Sequence, residues 1–173
     1  LFFSINDHQE SVMKKILERD AIKAKLDELR NKGAKIAFTN GCFDILHVGH
    51  VRYLQEAKKT ADILVLALNS DSSVRSIKGE KRPLVPEEER AEVLAALECV
   101  DFVTIFTELT PLELICYLKP DLLIKGGDWP EDQVVGRNEI SQWGGRVAII
   151  PEVVGKSTTN IVEKIISVYR SEI

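Results

Sequence analysis

From about residue 20 onward, short apolar runs alternate with longer stretches in which apolar residues return at helical spacing. The runs are Ile36–Thr39, Ile63–Leu68, Phe102–Phe106, Leu122–Ile124 and Val147–Ile150. Each is apolar at successive positions rather than at alternate ones, the pattern of a strand covered on both faces. The stretches between them predict helices over about 49–60, 87–98, 111–118, 136–143 and 158–171. Upstream, Ile22, Leu26 and Leu29 mark one face of another helix, with Asp20 placed to cap it and Gly33 to end it. Asp71 and Ser72 suit the start of a short helix after the second strand. Thr110-Pro111-Leu112-Glu113 reads as a capping box with proline at the first helical position. Ser157 or Thr158 is expected to cap the last helix. Residues 1–15 lose their periodicity after the first five and are expected to form a loosely ordered segment. Residues 16–173 then make one domain.

Strand–helix alternation with such strands predicts a parallel sheet with right-handed crossovers, a doubly wound, Rossmann-like α/β fold. No internal repeat or low-complexity tract interrupts it. Folds of this kind bind ligands outside the C-terminal ends of the strands, where the strand order reverses. The segments following each strand therefore carry the search for function.

Composition narrows the classes without choosing among them. The 173 residues are 45% hydrophobic and 29% charged, as in an ordinary globular domain. A chain of this length buries about 70% of its unfolded surface and needs no staple. No apolar run approaches the roughly 20 residues that span a bilayer, so no membrane partner is expected. The net charge of -4 argues against broad nucleic-acid binding while leaving room for a locally basic pocket. Cys42, Cys99 and Cys116 have no disulfide or zinc spacing and read as reduced thiols. The N-terminus lacks a basic leader, so a cytoplasmic location is expected. The chain opens on Leu1 rather than Met, as a processed product or a piece of something longer would.

The first strand runs into Thr39-Asn40-Gly41-Cys42-Phe43-Asp44-Ile45-Leu46-His47-Val48-Gly49-His50 and then a helix. Glycine admits close backbone approach, and a helix start offers unpaired N–H groups and a positive dipole end. Two histidines three residues apart beside that start can both donate to one phosphate. A bare pair of this kind is more often structural or part of a metal site. A metal is disfavoured here because no further ligand stands at a familiar spacing. Gly155-Lys156-Ser157-Thr158-Thr159-Asn160 leads into the last helix. Capping needs one hydroxyl, and three in succession favour a phosphate ligand. Lys125-Gly126-Gly127-Asp128-Trp129 follows the fourth strand, as a plain turn or as a close backbone contact with a flat ligand. Lys81 reads as part of a solvated charge run, His8 as a lone tail residue, and Trp143, Cys99 and Cys116 as packing.

The string from Gly41 to His50 resembles the HxGH signature of the cytidylyltransferase-like nucleotidyltransferases. Within that superfamily, residues from about Ile16 to Ile166 resemble the adenylyltransferase domain of ADP-heptose synthesis. The matching stretches are Thr39–Leu54, Asn69-Ser70-Asp71 with Ser73-Val74-Arg75, Lys78-Gly79, Arg82-Pro83, Lys125–Asp128 and Ser157–Ile161. The resemblance implies transfer of AMP from ATP to D-glycero-β-D-manno-heptose 1-phosphate, with release of pyrophosphate, in making the lipopolysaccharide inner core. It implies His47, His50 and Lys78 as catalytic residues, with Lys78 reaching over the triphosphate from a mobile-looking segment. Nucleotide contacts are implied for Thr39, Asn40, Gly41, Phe43, Asp44, Gly49, Asn69, Asp71, Arg90, Lys125, Gly127, Asp128, Ser157, Thr158 and Thr159. Asn69 and Asp71 could equally be polar strand-end residues, and Arg90 an exposed helix arginine. Mg²⁺ is expected to arrive on the triphosphate, with Asp44 as the candidate carboxylate. Cys42 is a bystander.

One departure stands out. Heptose enzymes usually carry tyrosine where this chain has Trp129, and glycerol-phosphate cytidylyltransferases have a related Gly-Asp-Asp-Trp. The double glycine and the preceding lysine favour the heptose group. A cytidylyltransferase for glycerol 3-phosphate or a similar alcohol phosphate is the alternative. A silent nucleotide-binding module is disfavoured by the intact His47, Gly49, His50 and Lys78. In many relatives of this kind the domain is fused behind a sugar kinase. The roughly 35 residues before the first strand are too few for one, so a stand-alone enzyme or an excised domain is expected. Relatives commonly pair, and a homodimer using Phe2 and Phe3 is the expected assembly.

Overall fold

The computed structural model describes residues 5–127, 130–151 and 155–170. Phe2, Phe3, Asp128 and Trp129 lie outside the described residues. Five strands, β1 (Ile36–Gly41), β2 (Ile63–Asn69), β3 (Phe102–Phe106), β4 (Leu122–Gly126) and β5 (Arg146–Ile150), form one parallel sheet in the order β3-β2-β1-β4-β5. All four strand pairings are parallel. Each strand sits within about two residues of its expected position, because a run apolar at every position can only be covered from both sides. Ala37, Leu64, Leu66 and Leu68 face one core with Leu54 and Ala57 of α3 (Val48–Lys58) and Leu94 of α5 (Glu87–Ala95). Ile36, Phe38, Val65 and Ala67 face the other, with Ile22 and Leu26 of α2 (Arg19–Asn31) and Leu114 and Leu118 of α6 (Leu112–Leu118). This is the expected doubly wound Rossmann-like arrangement.

The chain moves outward from β1 to β2 and β3, then returns to place β4 on the other side of β1. The switch point therefore lies between β1 and β4. Asn40 and Gly41 end one of these strands, and Lys125 and Gly126 end the other. A crevice must open above them.

Several local expectations are corrected. Residues 1–15 were expected to be loose, yet α1 spans Ile5–Met13. Its Val12 is buried in the first core, and Lys15 just beyond donates to the carbonyls of Leu97 and Val100 at the end of α5. One buried valine in a polar stretch has no periodicity to reveal it. The N-cap of α2 is Glu18, with Asp20 inside the first turn. Pro111 is itself the N-cap of α6 and no capping-box bond forms. The short helix α4 (Asp71–Lys78) is capped by Ser70, whose hydroxyl accepts from the Ser73 N–H, rather than by Asp71 or Ser72. The last helix, α8 (Thr158–Tyr169), is capped by Ser157. Between β4 and β5 lie a short 3₁₀ turn (Glu131–Gln133) and α7 (Arg137–Ser141).

Candidate active site

The crevice at the switch point is a cavity of about 550 Å³. Its floor is the turn after β1, and its walls come from the starts of α3 and α8, the ends of α4 and β4, and Gln133–Val135. Asn40, Gly41, Phe43, Asp44, His47, Gly49, His50, Lys78, Lys125, Ser157, Thr158 and Thr159 all line it. Residues from five separate stretches of sequence thus converge on one opening.

The turn after β1 is held tightly. Phe43 has φ +42, a backbone state that bulky residues rarely adopt, and its ring folds back over Gly41. A Cβ on Gly41 would stand 2.8 Å from a Phe43 ring carbon, so only glycine fits. The same ring meets His50 with centroids 5.1 Å apart. His50 in turn stacks on His47 at 3.7 Å with 20° between the planes. His47 is the N-cap residue of α3 but makes no side-chain capping bond. A Cβ on Gly49 would stand 3.0 Å from the His47 ring and 3.2 Å from Cβ of Lys156, so the missing side chain lets the two helix starts approach.

The Nδ1 atoms of both histidines are buried and have no hydrogen-bond partner among the described residues. Native proteins rarely leave such atoms unpaired. Here they sit beside two helix N-termini, where an anion would be stabilised. Burial is the main force lowering the pKa of both rings, to about 4 for His50, with Lys156 adding for His47 and His47 for His50. His50 is therefore neutral in the empty protein at physiological pH, and a bound phosphate would pull it back toward the charged form.

That depression has a measurable consequence. With the unfolded value near 6.5 and the folded value near 4, the unfolded chain binds the extra proton between those limits. The stability contributed by neutral His50 is thus complete above pH 6.5 and is lost as pH falls toward 4. Urea melts at pH 7 and pH 5 should show a smaller loss in His50→Asn than in the parent protein. Equal losses in the two proteins would contradict the assignment.

Lys78 ends α4 as an exposed rim residue, not part of a loose loop. Of the three hydroxyls at α8, Ser157 accepts from the Asn160 N–H and Thr158 donates to the Ile45 carbonyl. Among the described residues the Thr159 hydroxyl has no partner, and Ser157, which only accepts at the cap, keeps its O–H to donate.

Other expected contacts prove to be scaffolding. Asp44 is buried and accepts from Arg82 Nε and from the Leu84 and Val85 N–H groups. Both carboxylate oxygens are committed, and among the described residues no cluster of three His, Cys, Asp or Glu could hold a cation. Asp44 is thus an anchor of the turn after β1. Arg90 does not reach the cavity. Its side chain is fully buried, donating to the carbonyls of Val85, Cys42 and Asn69 and to Asp71 Oδ1. Asp71 is consequently a partner of Arg90, and Asn69 donates to Ser73 Oγ. Thr39 shares a 2.6 Å hydrogen bond with Tyr53, whose hydroxyl also donates to the Ile124 carbonyl and so ties β1 to β4 through α3. Burial pushes the Tyr53 pKa up to about 12. Gly127, at φ +97, donates to the Ile150 carbonyl.

Lining residues not singled out by sequence include Arg82, Gln133, Val134 and Val135. Arg82 stood inside a matching stretch beside Lys78, which was the available signal. Nothing in the pattern marks the other three.

Residues 38–168 match the cytidylyltransferase-like family model. The chain belongs to the cytidylyltransferase-like family of nucleotidyltransferases. It is 56% identical over 155 residues to the bifunctional protein HldE of Pelobacter propionicus, covering 90% of this chain and 32% of that protein. It is 52% identical over 166 residues to the HldE of Trichlorobacter lovleyi, covering 96% and 34%. The chain thus spans about a third of the length of these curated relatives. A solved structure, the lipopolysaccharide core biosynthesis protein of Thermoplasma volcanium, is 31% identical with a TM-score of 0.59, covering 70% of this chain and 98% of that one. Among the described residues no helix is long and apolar enough to cross a membrane.

Proposed function

We propose that this domain transfers AMP from MgATP to D-glycero-β-D-manno-heptose 1-phosphate, releasing pyrophosphate. The observation that carries the reading is the stacked His47–His50 pair, with its unpartnered Nδ1 atoms, between the starts of α3 and α8. The HldE relatives, at 52–56% identity, support the heptose substrate over glycerol 3-phosphate.

The nucleophile is a phosphate oxygen, already ionised at neutral pH, so no general base is needed. That oxygen bonds to the α-phosphorus as the bond to the bridging α–β oxygen breaks, and pyrophosphate leaves with the electron pair. The protein contributes position and charge, as in phosphoryl transfer generally. His47 and His50 hold the α-phosphate at the start of α3. Lys78 and Arg82 face the triphosphate from the α4 side, while Lys156, Thr159 and the free N–H groups of α8 receive the departing pyrophosphate. Mg²⁺ enters as part of the substrate, bound to its phosphates.

A sugar kinase, fused or separate, is the partner this reading requires upstream. A homodimer belongs to the same reading, with Ile165, Ile166, Val168 and Tyr169 forming an exposed apolar face on α8.

Pyrophosphate release with Mg²⁺, crossing ATP and CTP with heptose 1-phosphate and glycerol 3-phosphate, tests the reaction. Release with ATP and the heptose phosphate alone is expected. Release with CTP and glycerol 3-phosphate would transfer the enzyme to the other substrate class.

A further inference from the structure

Lys125 ends in an unusual place for a lysine. It lies one residue before the end of β4, at the switch point, and lines the cavity wall. Its Nζ donates to Asn40 Oδ1 at 2.5 Å and meets no carboxylate among the described residues. One of three ammonium donors is used, by a neutral amide, and among the described residues the other two have no acceptor. Burying a cation without a counter-ion costs stability, so such a group is a mark of function rather than of folding.

The remaining cations of the cavity fall into two other places. Lys78 and Arg82 act together on the Cys42 thiol, and Lys156 acts on His47. Burial pushes the Lys125 pKa down to about 8. The cations lining the cavity thus come from three places in the fold: Lys78 and Arg82 from the end of α4 and just beyond it, Lys156 from before α8, and Lys125 from the end of β4. A triphosphate is one contiguous anion, and the helix starts, the histidines, Lys78, Arg82 and Lys156 already answer it. The reaction brings a second anion, the phosphate of the acceptor, and it must lie beside the α-phosphorus.

We infer that Lys125, held in place by Asn40, grips the acceptor's phosphate and makes the enzyme require a phosphate monoester as acceptor. The inference rests on the transferase reading above and reassigns Lys125 from the nucleotide to the second substrate. The ammonium stays protonated throughout. It donates to the non-attacking oxygens and leaves the third free to reach the α-phosphorus.

Equilibrium binding separates the possibilities without depending on turnover. Heptose 1-phosphate is titrated into protein saturated with α,β-methylene-ATP, for the parent, Lys125→Met and Lys125→Arg. The acceptor should bind Lys125→Met about 30-fold or more weakly, the loss expected for truncating one side of a buried charged contact. Lys125→Arg should recover part of it, and the affinity for the ATP analogue should change less than about twofold in both. Removing a part-buried cation that meets no carboxylate among the described residues should not lower the melting temperature of Lys125→Met, so a folding failure is not the expected cause. A weakened ATP analogue with unchanged acceptor binding would overturn the inference and return Lys125 to the nucleotide. Failure of the transferase reading would look different. The parent protein itself would bind the analogue but no heptose phosphate, and the inference would fall with it.

Discussion

His50→Ala is expected to lower turnover by about 10²–10³ while the protein remains folded. The size is that of losing one donor aimed at charge developing in a transition state. The structural reason is the unsatisfied Nδ1 of a ring clamped between Phe43 and His47. A core histidine of equal burial would have found a partner for that atom. Because His50 is held neutral by burial, removing it deletes no charge from the empty protein. Its loss should fall on the transition state more than on ATP affinity, seen as reduced kcat with little change in the KM for ATP. His50→Asn keeps an amide donor on a shorter side chain and should retain part of the activity. Near-normal turnover in folded His50→Ala protein would remove the histidine pair from the mechanism and with it the main support for the proposed reaction.

Much of this site was legible because its parts are local. Strand ends follow from runs of apolar residues, and a glycine turn leading into a helix start announces a phosphate site whatever the fold around it. His47 and His50 stood out in that way, Gly49 and Lys125 through the family resemblance, and the cavity gathers them. What was not legible depends on partners distant in sequence. Asp44 looks like a metal ligand until Arg82, Leu84 and Val85 occupy both its oxygens. Thr158 looks like a phosphate donor until its hydroxyl reaches back to the Ile45 carbonyl. Periodicity reports which face of an element is covered. It carries no information about which polar atom across the fold will claim a side chain first. The helix at residues 5–13 escaped for a related reason: among its described side chains Val12 is the buried one, and Lys15 just beyond is tied to carbonyls far along the chain.

Arg90 is the sharpest case of this, and Arg90→Ala should be among the most destabilising single substitutions in the domain. Its guanidinium lies beneath the cavity floor, with Nε donating to Val85 at 2.9 Å, one terminal nitrogen to the carbonyls of Cys42 at 2.6 Å and Asn69 at 2.9 Å, and the other to Asp71 at 2.7 Å. A planar fork with fixed donor directions can join these four acceptors at once, which lysine cannot. They belong to the segment before α5, the turn after β1, the end of β2 and the start of α4. Truncation strands three carbonyls and leaves the partly exposed Asp71 carboxylate without its cation. Breaking such a pair from one side costs about 3–5 kcal/mol. For a domain of this length that corresponds to a fall in Tm of about 10 °C, with roughly 6–20 °C as the range. Arg90→Lys should recover less than half of the loss, because charge is restored but geometry is not. Activity should fall as well, since the Cys42 carbonyl anchors the turn that carries Phe43 and positions His50. A Tm within about 2 °C of the parent, with ATP binding lost, would show the opposite: that Arg90 leaves its buried partners to meet the nucleotide, and that the turn after β1 is held by Asp44 and Arg82 instead.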